Sequence, residues 1–457
     1  MTQIATLHSP SGAFNKIARF NADLRFEDIP DDVAQMAALY MLDLIGVAAA
    51  GSRLDAGRIA RDHAVRHWAA GMDAPSARLL FDGRPTSLPG FGFAMAMQLD
   101  NLDAHDGWQP SKGHAGAALF PALAAFAVTD SGLTGREALT AFVSGYEIAY
   151  RAGVALHATV HDYHTSGAWN GLGCAAIGAR LWGLSDDELR HALGIAEYHG
   201  PRSQMMREIA NPTMLHDGTG FGAPVGIQAV LLAKDGFLGA PAATVEFEDA
   251  VFAWESLGED WLTNQQYIKP YPICRWAHAA IDAALALRGA HGLSPEMIER
   301  VEIATFAYSA ELNCDVPTTT SNAQYSLAWP VACALVRGSV GVEEVMEDSF
   351  SDAALIDMTE RTSAHVDKEI DATFPNERLA SVAITLRDGK VLESGTTRAS
   401  GGPTPQAGEA EVLDKFHRFT DPVVGEARAG DIADAVLSLH ENDRTFSTLL
   451  NILTAPA

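Results

Sequence analysis

The chain has 457 residues, 47% hydrophobic and 20% charged, a balance that excludes intrinsic disorder and is ample for the cores of two domains. Its 58 acidic residues against 32 basic ones leave a net charge of -26, which argues against nucleic acid or anionic membrane as partners, since both require a basic face. An anionic ligand would be repelled at long range, so a site for one must carry a local basic cluster.

Residues 1–13 are polar and short of Arg, unlike a transit peptide. Cys174, Cys274, Cys314 and Cys333 form no CxxC pair, and the expectation is a reducing, cytoplasmic location. Asp31 and Asp32 open a helix over residues 31–50 that Gly51 should end. The apolar run 88–99 is too short and too Gly-rich to span a bilayer. Further helices are predicted over 116–129, 135–157, 167–183, 186–199 and 223–234. Ser185 is a good N-cap for the fourth of these, and Asp187 and Glu188 favour its positive end. Strand signals are almost absent to this point.

The texture then changes. Residues 276–290 read as a helix, 298–309 alternate as a strand, and 379–386 alternate again before an Asp388-Gly389 turn and a returning strand over 390–400. Residues 401–405 form a plausible linker, and the chain is helical again from Glu409. The fold class is therefore mainly α: helical domain 1–268, a smaller α/β domain 269–402, and a helical segment 403–457 free to rejoin the first.

Clustered His, Lys, Asp and Arg residues fall mostly in three segments, 102–114, 162–167 and 269–278. Each sets titratable groups beside Gly or Pro, as loops at helix ends do, and rigid scaffolds often carry catalytic groups there. Asp103, His105, Asp106 and His114 have the donor types for a mixed metal site. No HExxH or paired-Cys pattern accompanies them, and no metal is expected. The glycine run 218–222 fails as a dinucleotide fingerprint: its third Gly comes early, no strand precedes it and no acidic partner follows, so it reads as a close-packed helix start. No Walker A, flavin or Gly-x-Ser-x-Gly motif occurs, and Cys274 reads as a buried structural thiol. Acid–base chemistry is left. His114 and His164 are each followed by small residues and an apolar helix. A helix N-terminus lowers a His pKa, and its free N–H groups bind carboxylates. Lys269 lies in a Pro-rigid turn with Arg275 and His278, at the junction of the two domains. Tyr146 sits on an apolar helix.

With these segments in view, the chain resembles the MmgE/PrpD family over nearly its whole length. The matching pieces include residues 42–47, the 103–114 loop, Gly145-Tyr146-Glu147, His164 with the helix to Gly183, Leu215-His216, Lys269-Pro270-Tyr271-Pro272 with His278, and Lys415-Phe416. The family includes 2-methylcitrate dehydratase, cis-aconitate decarboxylase and iminodisuccinate epimerase. The resemblance implies a large helical domain built from both chain ends, an α/β lid, a homodimer, no required cofactor and a small di- or tricarboxylate substrate. By position, Asp103, His114, His164 and Lys269 resemble the family's active-site residues, and the expectation drawn here is His164, Lys269, Tyr146 and His114 as catalytic groups, with Asp103, Arg275, His278 and His216 binding substrate. Thr213, Cys274 and Gly107 replace a Lys, a His and a Thr of the decarboxylase-like pattern. Fewer pocket cations favour a dicarboxylate reaction. The expectation is cofactor-independent proton abstraction next to a carboxylate, as in an epimerase, with a dehydratase- or decarboxylase-like lyase as runner-up. An acidic helical scaffold for partner proteins is the non-enzyme alternative.

Overall fold

The Asp31–Gly51 helix is the axis of the larger domain in this computed structural model, which describes residues 9–402, 406–441 and 444–457. Residues 1–8 of the polar start and 403–405 of the expected linker lie outside the described residues. Every residue from Met36 to Gly51 is buried. A helix apolar on all faces must be covered on all faces. The helices Leu88–Asp100, Gly116–Ala127, Gly135–Thr159 and Glu409–Val424 pack around it. It is long and apolar enough to cross a bilayer, yet here it is buried inside the domain. Gly51 is its last residue, as the sequence suggested. A Cβ there would strike the backbone of Gln98, so the glycine serves close approach of the Leu88–Asp100 helix.

The C-terminal Glu409–Val424 helix lies along this axis. Its Lys415 ammonium is 2.6 Å from Asp43, both side chains at most 4% exposed, and it donates to the Ala104 carbonyl at 2.5 Å. Burial raises the Asp43 pKa and lowers that of Lys415, each partially countered by the other's charge. One residue therefore ties the end of the chain both to the central helix and to a loop important below.

The Gly135–Thr159 and Asp186–His199 helices begin at reciprocal caps, Thr134 with Glu137 and Ser185 with Glu188. The expected 167–183 helix is two pieces, a three-residue 3-10 turn Ser166–Ala168 and the helix Asn170–Leu181. The glycine run opens the Thr219–Lys234 helix. A Cβ at Gly220 would strike Met97 and one at Gly222 the Asn170 side chain, so close packing is its role. Helices Gly12–Asp23, Asp55–His67 and Leu88–Asp100 add to the expected set, as does a hairpin of β1 (Ser76–Arg78) and β2 (Pro85–Ser87).

The α/β domain has its own core. Strands β3 (Ile298–Thr305), β4 (Thr362–Val366), β5 (Leu379–Leu386), β6 (Val391–Glu393) and β7 (Thr397–Arg398) form one sheet in the order β4-β3-β5-β6, with β7 also on β5. The β3–β4 pairing is parallel and the rest antiparallel. Gly389 at φ 87° turns the chain between β5 and β6. The sequence missed β4, which is too polar to alternate. The His278–His291 helix covers the sheet, and Met205 and Ile209 of the helical part join this second core. The chain crosses between the domains twice, side by side: the Ile268 N–H donates to the Gly401 carbonyl at 2.9 Å, and Arg275 donates to the carbonyls of Ala399, Ser400 and Gly402.

Truncating one member of a buried ion pair leaves the other charge unpaired, which costs about 3–5 kcal/mol. Lys415→Ala should lower unfolding stability by about that much, and Asp43→Leu combined with Lys415→Met should regain much of it. Urea denaturation followed by circular dichroism measures both.

Candidate active site

The loop over residues 101–115, between the Leu88–Asp100 and Gly116–Ala127 helices, carries the densest chemistry. Asp103 and Lys112 both stand at φ 56°, and His216, nearby, at 43°. Left-handed backbone at non-glycine residues is disfavoured and persists where surrounding contacts hold it. Those contacts come from both domains. Gln324 donates to the Asn101 carbonyl at 2.8 Å, Lys269 pairs with the Asp103 carboxylate and lies 3.2 Å from its carbonyl, Lys415 holds Ala104, and Gly107 exchanges backbone hydrogen bonds with Tyr267.

Asp106 caps the following helix, accepting from the Gly116 N–H at 3.2 Å and the Tyr150 hydroxyl at 3.0 Å. The N-terminal donor expected to meet a ligand is thus already met by a side chain. The Asp106 carbonyl lies 2.5 Å from Nδ1 of His114. A carbonyl only accepts, so this bond assigns the proton to Nδ1 and leaves the Nε2 lone pair free. That Nε2 is 3.4 Å from Asp217. Burial, followed by the Lys269 charge, holds the His114 pKa well below its usual value, so the imidazole is neutral. Lys269 is the opposite case: burial works against its charge, but the Asp103 carboxylate outweighs it and the pKa rises.

These groups face a narrow cleft between the domains. Of the residues expected from sequence, Asp103, His114, Lys269 and Arg275 share its wall. Four do not. His164 sets Nδ1 3.3 Å from the Ser203 carbonyl, and the turn after it is too short to offer a helix N-terminus; its segment reaches the site through Ser166, whose Oγ accepts from the His114 N–H at 2.9 Å. Tyr146 is fully buried behind the loop, ring stacked on Tyr150 at 5.7 Å. His278 lies 2.8 Å from the Ile273 carbonyl and 3.3 Å from Arg275, a structural contact of the turn. His216 lines a neighbouring cleft with Glu208 and the exposed Thr213, its ring 5.5 Å from Tyr325.

Sequence reasoning missed Lys112, Asp217 and Arg378 in the cleft wall, with the hydroxyl-bearing Tyr163, Tyr267 and Tyr325. Asp217 adjoins the Leu215-His216 pair, so its position was signalled. Nothing near Arg378 marked it. Burial, then the charges of Asp100 and Asp103, push the Asp217 carboxyl up to about 7. Glu208, bonded to the Tyr325 hydroxyl, is raised by burial and then by Asp217. Cys274 is buried in the wall with its thiol pushed up to about 12, first by burial.

Asp103, His114 and Asp217 each place a ligand atom within 4.8 Å of the others, a spacing compatible with a divalent cation. The Lys269 ammonium already engages the Asp103 carboxylate, so a metal there would stand against a fixed positive charge. One of the three carboxylate and imidazole ligands is therefore already engaged by an ammonium. Asp106 is turned to its helix cap and His105 to Asp100, 3.4 Å away, so neither completes a metal set.

A helical domain assembled from both chain ends, an α/β domain closing over it and a buried acid–base cleft between them define a two-domain enzyme architecture. Residues 15–263 match the MmgE/PrpD N-terminal domain and residues 271–441 the MmgE/PrpD C-terminal domain. The chain belongs to the MmgE/PrpD family. It is 23% identical over 500 residues to cis-aconitate decarboxylase of Aspergillus terreus, covering 99% of this chain and 98% of that protein. The cis-aconitate decarboxylase-like protein oryM of Aspergillus oryzae is 23% identical, covering 96% of each. Cis-aconitate decarboxylase of Homo sapiens is also 23% identical, with 95% of this chain and 93% of that protein covered.

The raised Asp217 carboxyl has a consequence for stability. Its proton is held more tightly folded than unfolded, so its contribution is complete below the unfolded value of 3.8 and is lost as pH rises through about 7. Asp217→Asn keeps a neutral group and should gain on the wild type by up to about 1.4 kcal/mol per pH unit across that window. Urea denaturation at pH 4.5 and pH 8 reads the difference.

Proposed function

We propose that the protein is a lyase acting on a small polycarboxylate, with decarboxylation of a cis-aconitate-like tricarboxylate as the first reaction to test. One observation carries the reading. His114 is driven neutral from above and Asp217 is driven toward neutral from below, 3.4 Å apart, beside a Lys269 that stays charged. A base, an acid and a fixed cation in one buried cleft are the parts that lyase chemistry next to a carboxylate requires. Lys269 holds a substrate carboxylate and stabilises negative charge developing on the adjacent carbon. In decarboxylation the C–C bond breaks, carbon dioxide leaves, and Asp217 protonates the carbon that keeps the electron pair. In dehydration the His114 Nε2 takes the proton and Asp217 protonates the departing hydroxyl.

The epimerase expectation rested on cations judged missing from the pocket. Thr213 is exposed in the neighbouring cleft, so a lysine there bears less on this one, while Lys112 and Arg378 add cations that had gone uncounted. The near full-length relatives named above are decarboxylases or decarboxylase-like. Both points favour the lyase. The scaffold alternative needed its titratable loops dispersed over the surface, whereas Asp103, His114 and Lys269 converge in one buried wall.

Incubation in deuterated water with cis-aconitate, citrate and 2-methylcitrate separates the reactions. Release of carbon dioxide or of water supports a lyase; label uptake with inverted configuration and no elimination revives the epimerase. His114→Asn should reduce kcat/KM by about 10²–10⁴ with circular dichroism unchanged. Activity should hold to well below pH 6.5 on the acid side and fall above about pH 7, where Asp217 ionises. In Asp217→Asn the alkaline limb at that position should be gone.

A further inference from the structure

Most cations around the cleft already have partners. Lys269 pairs with Asp103, Lys415 with Asp43, and Arg275 with three backbone carbonyls. Two are left. Among the described residues, the Lys112 ammonium has no hydrogen bond or ion pair, its nearest aromatic being the Tyr163 ring at 5.5 Å. The Arg378 guanidinium has none either, and its Nε is buried without a partner. Arg378 has an acidic neighbour in sequence, but Glu377 pairs with Arg398 at 2.7 Å. In a chain of net charge -26, a half-buried guanidinium left unpaired beside carboxylates is anomalous unless something else is meant to meet it.

The two cations come from opposite domains. Lys112 stands on the helical domain's loop, its backbone held at φ 56°, and Arg378 immediately precedes β5 of the α/β domain. Both line the catalytic cleft, and Arg378 also lines the wider cleft outside it, with Gln109 and Arg398. They share the catalytic wall with the Asp103–Lys269 pair, one cation contributed by each domain.

We propose that Arg378 and Lys112 together bind the substrate carboxylate remote from the reacting carbon, so that the cleft selects molecules bearing at least two carboxylates. The substrate class rests on the lyase reading, while the assignment of these residues rests on their unpaired charges. Arg378 presents a planar fork to the carboxylate and Lys112 a point charge, so the arginine carries more of the recognition. The local positive charge offsets the repulsion that the rest of the molecule imposes on an anion.

Propane-1,2,3-tricarboxylate, which has neither double bond nor hydroxyl to react, is the probe, with butyrate as monocarboxylate control. Calorimetric titration should show Arg378→Gln weakening tricarboxylate binding at least tenfold and Lys112→Gln several-fold, with butyrate binding unchanged. Arg378→Lys should recover part of the loss. For a turned-over substrate, Arg378→Gln should raise KM about tenfold and leave kcat within threefold. Equal tricarboxylate affinity in wild type and Arg378→Gln overturns the assignment, as does an equal loss for butyrate. A wild type that neither binds the probe nor converts any polycarboxylate overturns the lyase reading and this assignment with it.

Discussion

The buried pair between Lys269 and Asp103 is the interaction on which the site depends. It joins the first turn of the α/β domain to a strained loop of the helical domain, with both side chains at most 3% exposed. Removing two charges from water is expensive, and only close geometry with further hydrogen bonds offsets it. Here the additional bond goes to the Asp103 carbonyl. Without the ammonium, a buried carboxylate on left-handed backbone would have nothing to stabilise it. Without the carboxylate, the ammonium would tend to shed its proton. The pair thus keeps a permanent positive charge in the cleft and sets how the two domains meet.

Around that charge one environment sorts three titratable groups differently. Burial disfavours every charged form, so it lowers His114 and raises Asp217. Lys269 then pushes the histidine further down, and the nearby carboxylates Asp100 and Asp103 push the aspartate further up. A neutral imidazole and a carboxyl inclined to keep its proton thus stand beside a charged ammonium. The support for the imidazole lies behind it: its Nδ1 meets the Asp106 carbonyl, Tyr150 holds the Asp106 carboxylate, and Ser166 accepts from the His114 N–H. Positioning of this kind is what gives a catalytic group its effect.

The sequence reading found the loop but misjudged how it works. His114 and His164 shared one local pattern, a titratable group followed by small residues and an apolar stretch. In the fold the first opens a true helix and the second a single 3-10 turn. The helix start beside His114 is capped by Asp106, so its neutrality comes from burial and Lys269 and not from a free dipole. Tyr146 was drawn in by its place on an apolar helix, and that same apolarity buries it behind the loop. Thr213 was weighed as a pocket residue because it precedes a pocket motif, yet a left-handed residue at His216 turns the chain before Asp217 reaches the cleft.

From the linear chain alone came the helical and α/β textures, the family, and the loops where titratable groups gather. These are local matters: periodicity, caps and turn residues act within a few positions, and each leaves its mark on neighbouring letters. Which groups meet was decided by tertiary structure. Asp103 and Lys269 are 166 positions apart, Asp43 and Lys415 further still, and Arg378 enters from the start of an interior strand with nothing in its surroundings to announce it. Charge state and exposure depend on what burial removes and what it brings near, and those are properties of the packed chain and of no segment taken alone.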